Sequence, residues 1–155
     1  MTPQSSTIRF PSLEFFQAMQ ERMNQDQPKY RAIGVMDVHL GIRVQADDAL
    51  GETRLYTLLF DGYRCAGVGE ATDDAEPDLD FVLEGPYRSW KEMFQNIQEH
   101  GKADTKHTLN HLTMLDDPLR AVGPDQYRLD KLYRYNYSIQ VFLEEATGLK
   151  TEFAS

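Results

Sequence analysis

Two histidines four positions apart, His107 and His111 in KHTLNH, come nearest to a metal-binding pair in this sequence. On one helix both imidazoles would point the same way and fill two positions of a zinc sphere, but a third ligand is needed. His100 and Asp104 are the nearest candidates, and no Glu follows the first histidine, so the metalloprotease signature fails. The pair reads as solvated surface histidines, and no metal is expected. The doublets Asp47-Asp48, Asp73-Asp74 and Asp116-Asp117 lack the alternating oxygen ligands and terminal Glu of a calcium loop, and read as turn residues. Cys65, the one cysteine, needs a positioned histidine to act as a nucleophile, and its place inside YRCAG predicts a buried structural thiol in a strand. Asp80 and Glu84 fall on the same side of one strand as Val82 and offer paired carboxylates for acid/base work, with a solvated strand edge as the simpler reading. The glycines of GVGE are not followed by one that opens a helix, so they make no dinucleotide fingerprint. With no GxSxG, phosphate loop, CxxC or kinase set, the sequence predicts a protein that is not an enzyme, with no catalytic residue and no cofactor.

What remains is a set of large apolar side chains at helical spacing: Phe15, Phe16, Met19, Met23, Trp90, Met93, Phe94, Tyr133, Tyr137 and Phe142. Such stripes ordinarily hold helices on sheets. Flexible thioethers beside large rings can also repack around varied apolar guests, so these ten are the candidate ligand-binding residues.

The elements that must position them follow from capping and periodicity. Ser12 caps a first helix bearing Phe15, Phe16, Met19 and Met23, and this helix ends near Asp26, with Pro28 as its stop. In IGVMDVHLGIRVQA, Met36, Val38, Leu40, Ile42 and Val44 alternate with polar residues as a half-buried strand. TRLYTLLF and YRCAGVG, joined at Asp61-Gly62, complete an antiparallel meander. Leu79, Phe81 and Leu83 mark a fourth strand, which Gly85-Pro86 breaks. A capping box of Ser89 and Glu92 then predicts a helix carrying Trp90, Met93, Phe94 and Ile97, with Gly101 as its left-handed exit. A second helical stretch spans DTKHTLNHLTML, a short strand falls near Leu119 to Val122, and YRLDKLYRYNYSIQVFLEEATG reads as one long closing helix.

The totals bound the rest. A chain of 155 residues supports one core, here read as residues 12–148, with a flexible lead at 1–11 and a tail at 149–155. Its formal charge of −9 repels phosphate backbones, so no nucleic-acid partner is expected. One cysteine, no signal-like opening and no bilayer-length apolar run predict a cytoplasmic protein without an integral membrane segment. A homodimer is left open.

From about Ser12 to Ala146, this order of elements, with LLFDGYRCAGVG, LDFVLEGPYRSWKEM and DKLYRYNYSIQVFLEEA, resembles the sterol-binding domain family typified by sterol carrier protein type two. Where that family often carries a glycine-rich segment, this chain has the acidic, proline-broken NHLTMLDDPLRAVGPD, and it lacks a peroxisomal C-terminal tripeptide. The resemblance implies an α+β fold: a five-stranded, mostly antiparallel sheet covered by helices, with an apolar tunnel between them. It implies non-catalytic carriage of a hydrophobic ligand, a fatty acid, acyl chain or sterol-like lipid. The alternative is an interaction or accessory module with a filled core.

Overall fold

The computed structural model describes residues 7–71, 79–114 and 118–154. After the short strand β1 (Ile8–Phe10), Ser12 opens α1 (Leu13–Gln25) as expected, its hydroxyl accepting the Phe15 amide at 3.1 Å. Asp26 ends that helix, but the chain then re-enters helix as α2 (Gln27–Ile33). Pro28 sits in the first turn of α2, where its missing N–H costs nothing, so the proline read as a stop is in fact a start.

The meander forms as predicted. β2 (Met36–Gln45) pairs antiparallel with β3 (Arg54–Gly62), and β3 pairs antiparallel with β4 (Arg64–Ala71). Gly62, at φ 73°, takes the left-handed corner between β3 and β4. The β3–β4 register slips between Leu59 and Phe60, so Phe60 faces Cys65. β5 (Phe81–Pro86) lies parallel to β2, and β6 (Arg120–Val122) closes the far edge antiparallel to β5. The sheet is therefore mixed, in the order β4-β3-β2-β5-β6, with three of its four pairings antiparallel.

Residues 8–10 and 151–153, read as parts of the lead and the tail, belong to the folded body: β1 pairs in parallel with β7 (Thr151–Phe153), and Phe10 is 1% exposed. Four aromatic rings of the core and the ring of Phe153 surround Phe10, which is what fixes that end of the chain.

The helix after β5, α3 (Tyr87–His100), begins before Ser89, and its N-cap Pro86 supplies no side-chain bond. The expected capping box does not form. Asp47, from the β2–β3 loop, instead accepts the Arg88 amide at 2.8 Å, a cap delivered from a distant segment. Gly101 closes α3 in the left-handed conformation at φ 80°.

The second helical stretch splits into a 3₁₀ turn (Thr105–His107) and the short α4 (Leu109–Thr113), because Asp104 and Thr108 each cap a separate start. The long closing helix likewise splits at Tyr135, with φ −110° and ψ 15°, into α5 (Gln126–Arg134) and α6 (Asn136–Leu143), followed by a 3₁₀ turn at Glu144–Ala146. No helix among the described residues is long and apolar enough to cross a membrane.

Candidate functional site

Register assigns the sheet's covered face residue by residue. Val38, Leu40, Ile42 and Val44 of β2 lie opposite Phe60, Leu58, Tyr56 and Arg54 of β3, while Leu40 and Ile42 also neighbour Phe81 and Leu83 of β5. All of these except Arg54 are at most 1% exposed, and helices cover them. The opposite face carries cross-strand polar pairs. Arg43 donates to Glu84 at 2.9 Å, and Asp80 accepts the His39 amide at 2.8 Å and the Lys131 ammonium at 3.3 Å. Asp80 and Glu84 are thus half-buried, Glu84 held by Arg43 of β2 and Asp80 by Lys131 of α5, rather than paired at a solvated edge.

Eight of the ten predicted ligand-binding residues line the layer between sheet and helices: Phe15, Phe16, Met19, Met23, Trp90, Met93, Phe94 and Phe142 are each 0% exposed. Tyr133 and Tyr137 lie outside it, 73% and 68% exposed. α5 turns Leu132 inward, which leaves Tyr133 on the outer arc, and the break at Tyr135 resets the stripe so that Ile139 and Phe142 face the core.

The layer has two ends of different character. Around β1 and α3 it is filled with rings: Phe15 lies 4.8 Å from Phe10 and 5.0 Å from Phe94, centroid to centroid. The Trp90 indole N–H donates to the Arg43 carbonyl at 3.2 Å, and the Tyr87 hydroxyl donates to the Ala154 carbonyl at 2.5 Å. The other end lies under the second half of α1. There Asn24 brackets the Cys65 backbone, donating to its carbonyl at 3.0 Å and accepting its amide at 2.9 Å, and Gln20 donates to the same carbonyl. These bonds hold Met19 and Met23 over the region of Phe60 and Cys65, and Phe60 meets Phe142 edge-on at 4.9 Å. Met36, 1% exposed, belongs to the same core.

The remaining polar groups are engaged in structure. Burial pushes the Cys65 thiol up to about 12, partly offset by its contact with the Gly67 carbonyl. His107 sits in the 3₁₀ turn with Nδ1 2.7 Å from Asp104, whereas His111 belongs to α4 and is exposed, so the two imidazoles share no helix face. A buried carboxylate, Glu145, accepts from the Tyr30 hydroxyl at 2.6 Å and the Lys29 ammonium at 2.7 Å. Arg22 tethers the same turn through the Glu145 and Thr147 carbonyls. A shallow groove along α1 is lined by Gln17, Gln20, Glu21, Asn24 and Gln25, beside the Gln20 and Asn24 bonds to β4.

Sequence reasoning missed Phe10, Tyr56, Phe60 and Tyr87 as wall residues. Tyr56 and Phe60 were detectable, since they alternate with Leu58 through TRLYTLLF. Phe10 was not, because its burial depends on a strand pairing between the two ends of the chain.

Compared with solved structures, the chain shares its fold with sterol carrier protein 2, at a TM-score of 0.66 and 17% identity over 88% of this chain and 95% of that one. It also matches a conserved hypothetical protein from Thermus thermophilus, described as a candidate sterol carrier protein, at a TM-score of 0.62 and 15% identity over 92% of this chain and 93% of that one. No family model matches the chain, and no curated protein matches its sequence. At such identities the likeness is one of fold, and it agrees with the sheet-and-helix architecture expected from the sequence.

Proposed function

We propose that this chain is a non-catalytic, cytoplasmic carrier that holds a hydrophobic ligand, a fatty acyl chain or a sterol-like lipid, between its sheet and helices. The observation that carries the reading is the softness of one end of the layer. Met19, Met23 and Met36 are all at most 1% exposed within the core that holds Phe60 and Phe142. Thioethers rotate about three bonds at little cost, so this part of the layer can reshape around a guest where a Leu/Val core would resist. Transfer of the guest's hydrocarbon from water supplies about 25 cal/mol per Å² removed, enough for binding with few polar contacts. The fold shared with a protein named for carrying sterols supports the same reading.

The test is native mass spectrometry of the purified protein, together with displacement of Nile red by long-chain hydrophobes. Bound lipid or displacement supports a carrier, and a protein that takes up no hydrophobe at all overturns it.

A second reading, a module that binds a protein partner, is favoured by the exposed rings of Tyr127, Tyr133 and Tyr137 on and just beyond α5. In that case substitution of Tyr133 and Tyr137 abolishes partner capture and leaves hydrophobe uptake unaffected.

A further inference from the structure

Two buried hydrogen-bond donors in the described structure have no partner, and both belong to the covered face of β3: the Tyr56 hydroxyl and the Arg54 Nε–H. They lie two residues apart on one strand, and hence on one face. Tyr56 is 0% exposed, its ring 4.9 Å from Phe16 near the start of α1. Orphaned buried donors are rare and costly, since each has given up water without a replacement. An acceptor supplied from outside the protein would remove both costs at once. Arg54 lies at the end of this face where the layer meets solvent, its side chain 40% exposed while its Nε is buried.

The surrounding charges decide what kind of acceptor fits. The other guanidinium nitrogens are engaged: Nη1 donates to Glu70 at 3.0 Å and Nη2 reaches Glu52 at 3.0 Å. Glu70 stands directly across the ladder from Tyr56. One cation shared by two carboxylates leaves the neighbourhood negative, which repels an ionised acid and tolerates an uncharged oxygen. Burial, with Glu70 adding to it, pushes the Tyr56 phenol up to about 12, so it remains a donor at neutral pH.

We infer that Tyr56 and Arg54 form the polar anchor of the ligand site, taking an uncharged carbonyl oxygen, a ketone or an ester-type carbonyl, in preference to a free carboxylate. This rests on the carrier reading and gives it a direction. The carbonyl end lies at Tyr56, and the hydrocarbon runs along β3 toward Phe60, Phe142 and Met23, a distance of about 13 Å for four strand residues.

The experiment measures Nile red displacement by three probes of similar size, 2-undecanone, undecane and decanoate at pH 8, on the wild-type chain and on Tyr56→Phe and Arg54→Lys. Tyr56→Phe keeps the ring against Phe16, and Arg54→Lys keeps a cation beside Glu70 while removing the Nε–H. In the wild type the ketone is expected to bind about three- to tenfold more tightly than undecane, the range of one or two neutral hydrogen bonds, and decanoate more weakly than the ketone. Tyr56→Phe should erase most of the ketone's advantage over undecane, and Arg54→Lys should reduce it. A ketone preference unaltered by both variants, or decanoate binding best, overturns the anchor while leaving a carrier. Displacement by none of the three overturns the anchor and the carrier reading together. A Tyr56→Phe chain that gains thermal stability yet keeps the wild-type ketone preference identifies the hydroxyl as a mere packing defect and overturns the anchor.

Discussion

Phe60 and Phe142 meet edge to face with ring centroids 4.9 Å apart, joining β3 to α6 across the layer. Both rings are 0% exposed, so shortening one leaves a void that its neighbours fill only in part. Phe142→Ala is expected to lower stability by about 3–5 kcal/mol and Phe142→Leu by much less, read from urea unfolding midpoints at a constant m-value.

Glu145 is the buried carboxylate on which Tyr30 and Lys29 converge. Replacing Glu145 with Leu leaves the phenol inside the protein with nothing to donate to, and a loss of about 2 kcal/mol is expected in the same assay. Lys29→Ala should cost under about 1 kcal/mol, because the ammonium is 39% exposed and water replaces its partner. Equal effects from the two substitutions would contradict this picture of the cluster.

Gly85, at the end of β5, has no room for a side chain. A methyl group there would sit 2.4 Å from the Leu119 Cδ2 and 3.0 Å from the Pro118 carbonyl oxygen. Gly85→Ala is therefore expected to push β6 off β5, lowering stability by about 1–3 kcal/mol. Added hydrogen-exchange loss at Ala121, whose strand pairs with β5, would localise the damage.

The Cys65 thiol is held near 12 by burial, against about 8.5 in an unfolded chain. A folded value raised above the unfolded one gives stability that is complete below about pH 8.5 and is lost as the pH climbs toward 12. Urea midpoints measured from pH 7 to 11 should fall more steeply in the wild type than in Cys65→Ala. Below pH 8 the native thiol should resist iodoacetamide and become reactive only on unfolding.

Trp90 is the one tryptophan of the sequence, fully buried and donating to the Arg43 carbonyl. Its emission should be blue-shifted and insensitive to iodide in the native protein. Arg43 belongs to β2 and Trp90 to α3, so red-shifted emission before the loss of far-ultraviolet helix signal would report α3 leaving the sheet.

Much of this fold was legible because it is written in local periodicity. The alternation through Met36–Val44 gave both the strand and its buried face, and Gly101 gave the exit from α3. Misreadings arose where a distant residue replaced a local signal. The cap on α3 comes from Asp47, some 40 positions upstream, so Ser89 and Glu92 looked like a capping box and were not one. Pro28 has opposite meanings at a helix end and a helix start, and only the turn after Asp26 separates them. The layer's aromatic stripes were readable on α1 and α3, whereas the placement of Tyr133 and Tyr137 hinged on a break at Tyr135 with no proline or glycine to announce it. The partnerless donors of β3 were beyond any sequence reading, because what they lack is a neighbour in space.

The parallel pairing of Ile8–Phe10 with Thr151–Phe153 joins segments nearly the whole chain apart. Closing so wide a loop costs entropy that neighbouring elements do not repay until they are already in place, so this ribbon is the last piece to assemble. Amides of Ile8 and Phe153 should then exchange with deuterium ahead of those in β2, and during synthesis Phe10 cannot find its seat until Thr151–Phe153 have been made.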